Sequence, residues 1–306
     1  MNTPTLSRPA TAKLQHGPTA PSFYNTIKDY YNIAGPDYEA WSKDFNMHFG
    51  YCKNFTDIFS LEKMLYRMND EVLKRLQIPT DIPIKIADLG CGVGTVARYA
   101  AKQYSNTTIT GVTIVDFQLS KGRELINKEG LAQKVTLVKD NFENSSFANE
   151  SFNRVYALES ACHASKSNKE LFIKEMARIL KTGGQFCIAD GFLKQDKKLP
   201  WLFNKIYQKI IRCWALPCFG NINAFTAALK KHGLSEIKVE EISVRIAPSV
   251  AYVPYTCIKF FITELWKHKS LHLKKERWNN VYAPLLGMIL GLYRKHFGYY
   301  IITGVK

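Results

Sequence analysis

The stretch "KIADLGCGVGTVARYAA", Lys85 to Ala101, decides the fold. An apolar run closes on Asp88 and Leu89, then breaks into three alternate glycines, Gly90, Gly92 and Gly94, and an alanine-rich helical pattern follows at once. A short strand, a glycine turn and a helix in this order open the first crossover of a parallel sheet, where ligands sit beyond the carboxyl ends of the strands. The glycines let the chain turn sharply and let a ligand approach main-chain atoms. The dinucleotide fingerprint usually runs GxGxxG, and Thr95 stands here at its third glycine, which weakens that reading.

Outward from this stretch, strands and helices alternate from Ile84 to Asp190. "IKIADL", "TITGVTI", "KVTLVK", "NRVYALE" and "GQFCIAD" read as strands, and "TVARYAAKQY", "FQLSKGRELINKEG" and "KELFIKEMARILK" as the helices between them. Short apolar strands separated by helices of this length imply a parallel sheet covered on both faces. Before the sheet, Leu61, Met64, Leu65, Met68, Val72 and Leu76 recur at helical spacing behind Ser60. After it come the apolar and basic "LPWLFNKIYQKIIRCWALPCF", the helix "INAFTAALKKHG", the strand "LSEIKVEEISV", helices in "YVPYTCIKFFITELWK" and "YAPLLGMILGLYRKHF", and a last strand "GYYIITGVK".

The expected organisation is a disordered tail over 1–22, a helical cover over 23–80 and a core over 81–306. Segments 193–220 and 247–283 would be helical insertions forming a lid. The tail lacks acids and has no apolar core of a secretory signal, and a transit peptide is the alternative reading of it. The most apolar run, "APLLGMILGLY", is about half of the ~20 residues that span a bilayer. Seven cysteines with no CxxC pair, mostly inside apolar runs, read as reduced, buried thiols in a cytoplasmic protein and hold no zinc pattern. The formal charge of +16 points to an anionic substrate, an anionic surface or a solvated lysine-rich face. Lys205, Lys209 and Arg212, at i, i+4 and i+7, with Lys194, Lys197 and Lys198 before them, are a stripe that would suit a diphosphate, a carboxylate, a peripheral membrane contact or plain solvent.

Four strings in order, "ADLGCGVGTVAR", "GVTIVDFQ", "LVKDNFENSSFANESFNRVYALESACHA" and "ILKTGGQFCIADGF", resemble the class I S-adenosylmethionine (SAM) methyltransferases. With "HFGY" before them and "WALPCFGNINAF" after them, the chain is similar to the branch of sterol side-chain methyltransferases, tocopherol methyltransferases and mycolic-acid cyclopropane synthases. The resemblance covers roughly Asp44 to Leu234 and implies an α/β, Rossmann-like, doubly wound seven-stranded sheet, with N-terminal helices and a helical lid after the fifth and sixth strands. It implies SAM as cofactor and S-adenosylhomocysteine as product.

By the same resemblance Asp88, Gly90, Cys91, Gly92 and Gly94 would hold the methionine part of the cofactor. Thr113 and Gln118 would serve the ribose, with Asp116 as a rival, and Ile114 would pack on adenine. Asp140 would accept from the adenine amino group, beside Asn141 and Phe142, unless it only closes an Asx turn. Glu159, Ser160 and His163 sit where the methyl acceptor should come; Glu159 is a base, a cation stabiliser or a cofactor contact, and His163 a base or a buried residue fixing the loop. Cyclopropane synthases carry a glutamate where Cys162 stands, so cyclopropanation is not implied.

Aromatic residues crowd both flanks of the core, among them Tyr24, Tyr30, Tyr31, Tyr38, Trp41, Phe49 and Tyr51 before it and Trp201, Phe203, Trp214, Phe219, Tyr252, Tyr255, Phe260 and Trp266 after it. A greasy acceptor is expected, with C-methylation of an isoprenoid, terpenoid or sterol-like molecule as the first reading. N- or O-methylation of a small alkaloid or phenol is the alternative, and a SAM-binding protein without catalysis a third reading. Nucleic acid is not expected, since "ESACHA" replaces the Asn-Pro-Pro-aromatic amino-methylating motif after the fourth strand. The sequence leaves the oligomeric state open.

Overall fold

The computed structural model describes residues 20–195, 197–269 and 271–306. All but the last three residues of the expected tail lie outside these, and those three, Ala20 to Ser22, begin helix α1 (Ala20–Ala34). Helix α2 (Leu61–Arg75) starts where Ser60 Oγ accepts from the Lys63 amide, and it buries Met64, Leu65, Met68, Val72 and Leu73.

The core then runs β1 (Ile84–Leu89), α3 (Thr95–Gln103), β2 (Thr107–Thr113), α4 (Asp116–Lys128), β3 (Val135–Lys139), β4 (Phe152–Leu158), α5 (Glu170–Ile179) and β5 (Leu180–Leu193). Next come α6 (Trp201–Cys213), the two-residue β6 (Gly220–Asn221), α7 (Ile222–Lys231), β7 (Ser235–Glu241), α8 (Ser243–Val250), α9 (Val253–His268), α10 (Lys275–Leu292) and β8 (Phe297–Val305). The sheet has eight strands rather than the expected seven: the order is β3-β2-β1-β4-β5-β8-β7, and the two-residue β6 pairs with β5 off this path. Strands β3 through β5 run parallel, and β8 lies antiparallel between β5 and β7.

The central strands are buried on both faces, while the edge strand β7 is largely exposed. In β1, Ile84 and Ile86 pack into one apolar cluster with α2 and α3, while Ala87 and Leu89 pack into the opposite one with Phe172 and Ile188. That is the period-two pattern of a sheet covered on two sides, and it explains why the strand reads as a near-continuous apolar run. The strand order reverses between β1 and β4, so a crevice opens beyond their carboxyl ends, at Leu89 and Leu158.

Four further sequence expectations change. "LSEIKVEEISV" is not one strand, because β7 stops at Glu241 and α8 begins at Ser243. Tertiary contacts override the β-branched composition there: the Arg245 carbonyl accepts from the Cys52 amide, and Ser249 Oγ bonds both to and from Gly50. Helix α10 begins seven residues before Tyr282, at Lys275, because Arg277 anchors its polar first turn through ion pairs to Asp37 and Glu264. The second helical insertion is therefore longer than 247–283. Finally, Ser243–His268 is one helical stretch long and apolar enough to cross a membrane by length and composition, which no continuous apolar string in the sequence revealed. All seven cysteines are free, but only Cys91, Cys187 and Cys213 are buried.

Candidate active site

The three glycines adopt left-handed backbone, with φ of +86° at Gly90, +54° at Gly92 and +72° at Gly94. That conformation disfavours a side chain at all three, and at Gly90 space excludes one as well. A Cβ on Gly90 would stand 2.4 Å from that of Ser160. The loop thus turns from β1 into α3 with its main chain lining a cavity of about 90 Å³.

Asp88, Gly90, Cys91, Gly92, Thr113, Ile114, Gln118, Asn141, Phe142 and Glu159 all line this cavity. Ten of the twelve residues expected to hold the cofactor therefore meet in one place. Gly94 does not, since its α-carbon turns toward Leu137. Asp140 does not either: one of its carboxylate oxygens accepts from the Asn141 amide, and the other from the amide and hydroxyl of Ser146. Asp140 is thus tied to its own loop, while the Asx turn there is made by Asn141, whose Oδ1 accepts from the Glu143 amide. Asp116 pairs with Lys139 on the surface and is no rival to Thr113 and Gln118.

Those two are joined, Thr113 Oγ1 donating to Gln118 Oε1 at 2.6 Å, which fixes both polar groups at the end of β2. Asp88 is buried, and the Tyr156 hydroxyl donates to it at 2.7 Å. Burial pushes the Asp88 carboxyl up to about 7, and only the tyrosine hydroxyl works against that shift. A buried carboxyl lacking a cation is what a cofactor with an ammonium group would complete, because an opposite charge favours the ionised form. The donor set fits SAM: a carboxyl for the ammonium, glycine main chain, two neutral groups for ribose hydroxyls, and Ile114 and Phe142 as apolar flanks.

A second cavity, of about 190 Å³, adjoins the first. The two share Tyr31, Met47, His48, Glu159 and His163. Its other walls come from the cover (Tyr38, Trp41, Phe49), the turn after α6 (Trp214, Phe219), α9 (Val253, Cys257, Phe260), α10 (Asn280, Val281, Pro284) and Tyr299 on β8. Seven of the fifteen flanking aromatics singled out by the sequence thus line the chamber. Among the described residues its lining includes the acids Asp37, Glu159 and Asp190, and no Lys or Arg. Asp37 is held by Arg277. Lys205, Lys209 and Arg212 are exposed and line neither cavity, so the basic stripe does not face the site.

Glu159 stands in the shared wall, immediately after β4, in a left-handed conformation with φ of +51°. Such a backbone persists only where surroundings over-determine it. Here the Glu159 amide donates to the Ala189 carbonyl at 2.8 Å, and one carboxylate oxygen accepts from the Phe49 amide at 2.7 Å and the Tyr299 hydroxyl at 2.8 Å. Burial nevertheless pushes the carboxyl up to about 8. Asp190 is raised to about 6 by burial, against bonds from the Cys162 and Gly191 amides.

Of the two readings of His163, a base or a buried residue fixing the loop, the geometry favours the second. Its Nε2 meets the Tyr31 hydroxyl at 3.0 Å. Burial, helped by the charge of Lys169, drives it down to about 4. At neutral pH it is uncharged and a poor proton acceptor. Two positioning residues escaped the sequence reading. Tyr156 is hidden among strand residues. Buried Lys169 donates to the carbonyls of Cys162, Ala164 and Cys218 at 2.9, 2.6 and 2.9 Å, clamping the turn that carries His163. A lysine inside a helical pattern gives no sequence sign that it points inward.

Helix α1 caps both cavities. Tyr24 and Ile27 line the smaller one, Tyr31 lines both, and the Tyr24 hydroxyl donates to Glu143 at 2.6 Å.

Comparison with known proteins agrees with this geometry. Residues 86–184 match the family model described as a methyltransferase domain. The methyltransferase GfsG of Streptomyces halstedii is 27% identical over 228 residues, covering 74% of this chain and 79% of that protein. A sterol 24-C-methyltransferase, ERG6B, of Gibberella zeae is 30% identical over 188 residues, covering 61% of this chain and 44% of that one. The chain thus spans under half the length of the sterol enzyme it matches. The cyclopropane synthase MmaA2 of Mycobacterium tuberculosis has the same fold, with a TM-score of 0.78 at 15% identity, covering 96% of this chain and all of that one.

Proposed function

We infer that this chain, a SAM-dependent methyltransferase, transfers the methyl group to carbon on a neutral, lipophilic, isoprenoid- or sterol-like acceptor held in the aromatic chamber. The observation that carries this reading is the shared wall: Glu159 lies between a cavity suited to the cofactor and an aromatic chamber with no lysine or arginine among the described residues of its lining. The sterol 24-C-methyltransferase among the relatives supports it.

Bound SAM supplies a methyl group activated on a sulfonium. Asp88 would hold its ammonium, and the main chain at Gly90 and Gly92 its amino-acid part. Thr113 and Gln118 would take the ribose, with Ile114 and Phe142 flanking the base. The chain's remaining task is to place a carbon of the acceptor in line, within roughly 3–3.5 Å of the methyl. Tyr31, Trp41, Phe49 and Trp214 give the chamber apolar walls and aromatic faces, which shelter positive charge developing on an alkene as it gains a methyl. C-methylation then requires a proton to leave carbon. Glu159 is the acceptor for it, since an adjacent cation lowers its raised pKa and ionises it. His163, uncharged, holds Tyr31 in the wall.

A second reading rests on the same chamber. Carboxyl groups without basic partners would also suit a protonated amine, so N-methylation of a small alkaloid is the competitor. An acceptor with a diphosphate or carboxylate finds no lysine or arginine among the described lining residues to hold it. Incubation with labelled SAM and a panel of sterols, prenyl alcohols, prenylated quinols, phenols and amines, with the product located by mass and NMR, decides. A new carbon–methyl bond on a neutral isoprenoid is the expected outcome. A methyl group on nitrogen or oxygen would replace this reading with its competitor.

A further inference from the structure

We propose that the exposed face of α9 docks the protein onto an anionic lipid bilayer, placing one wall of the acceptor chamber against the membrane. Helix α9 has a buried inner face and an apolar outer one. Val253, Thr256, Phe260 and Glu264 are buried, and the first three line the chamber. Two residues beyond each of these four, about 200° round the helix, runs an outer stripe: Tyr255, Ile258, Ile262 and Trp266, between 60% and 82% exposed. The turn Phe55–Phe59 adjoins it, tied to the start of the helix by the Tyr252 hydroxyl donating to the Ile58 carbonyl at 2.7 Å. That turn adds Phe55 and Phe59, 76% and 73% exposed. Single exposed apolar residues are ordinary, but a stripe of large ones along a helix is the mark of a binding surface.

Charge selects the occupant. The only acid in α9, Glu264, turns inward onto Arg277. Lys259, Lys267 and Lys269 are exposed beside or just beyond the stripe, on a chain of net charge +16. Apolar and aromatic side chains flanked by lysines, on a helix lying along the surface, match the interface of an anionic bilayer. Ser243–His268 is long enough to cross a membrane by composition. The inward face of α9 is committed to the chamber, however, so the helix lies on the bilayer rather than across it.

The test is co-sedimentation of the full chain with vesicles of phosphatidylcholine alone or of equal parts phosphatidylcholine and phosphatidylglycerol. Partition should be at least ~10-fold stronger on the anionic vesicles and weaken as salt rises. Ile262→Gln with Trp266→Gln should reduce it by about 10-fold or more. Lys259→Glu with Lys267→Glu should weaken binding to the anionic vesicles alone. S-adenosylhomocysteine affinity should be unchanged in both variants, which shows that they are folded. Equal partition of wild type and variants, or no binding to either vesicle, overturns the proposal. So does a dimer in light scattering that the first pair of substitutions dissociates, since a second copy would then cover the face. The assay reads no turnover, so it fails or succeeds independently of the acceptor's identity.

Discussion

The cavity beside Asp88 draws most of its lining from one stretch, residues 88–163, whereas the chamber across Glu159 draws on segments from Tyr31 to Tyr299. The first is a property of the sheet edge, built where β1 and β4 part. The second exists only when the cover, α9, α10 and β8 come together over that edge. Cofactor binding and acceptor choice should therefore be separable by mutation, with Glu159 the point at which they meet.

The largest effect should come at that point. Glu159→Gln keeps an oxygen to accept from Phe49 and Tyr299 but removes the proton acceptor, so kcat should fall ~10²–10⁴-fold. S-adenosylhomocysteine affinity by calorimetry should stay within a few-fold. A loss confined to affinity would put Glu159 wholly on the cofactor's side.

Next, Asp88→Asn should weaken S-adenosylhomocysteine binding by roughly 10–100-fold, the worth of a buried charge-assisted bond. It should leave the apoprotein as stable or more so. Asp88 at about 7, Glu159 at about 8 and Asp190 at about 6 are all raised above the ordinary carboxyl values near ~4. The folded chain thus holds protons that the unfolded chain has released. These groups favour folding at low pH, and their contribution is lost as pH rises through the raised values. Above about pH 6.5, where the buried His48 and His163 are neutral folded or unfolded, the apoprotein's Tm should fall toward about pH 8, less steeply in Asp88→Asn and less steeply with the ligand bound. A Tm that rises over this window would contradict the buried-acid account.

Cys257→Leu adds bulk to the chamber from α9. It should lower kcat/KM for the acceptor by about 10-fold, through the cost of overfilling a packed space, with cofactor affinity unchanged. The smallest effect belongs to His163→Gln. Being uncharged already, His163 should cost less than about 10-fold in kcat, and the pH–rate profile should keep its shape. A limb of that profile lost in the variant would restore the histidine as the base.

The contrast between the two regions also explains what could be read before folding. The strand-to-glycine turn, the Thr113–Gln118 pair and Glu159 are set by residues close in sequence whose types the cofactor's chemistry demands, and they meet as expected. Asp140 lies outside the cavity lining for a local reason: the motif marks its place but not the Ser146 amide and hydroxyl that bond to it. The choice between base and buried residue at His163 is tertiary, since its ordinary pKa holds only in water and burial lowers it. Tyr299, on the last strand, reaches Glu159 across 140 residues, a contact no local pattern encodes. Helix α8 likewise follows from bonds to residues 50–53 rather than from its own β-branched composition.

A crystal structure with S-adenosylhomocysteine tests the central claim most directly. The ligand should fill the cavity bounded by Asp88, Gly92, Thr113 and Phe142, its amino group on the Asp88 carboxylate and its sulfur toward Glu159, leaving the aromatic chamber free. Density in the aromatic chamber instead, or an amino group turned away from Asp88, would contradict the division of the site into a cofactor half and an acceptor half.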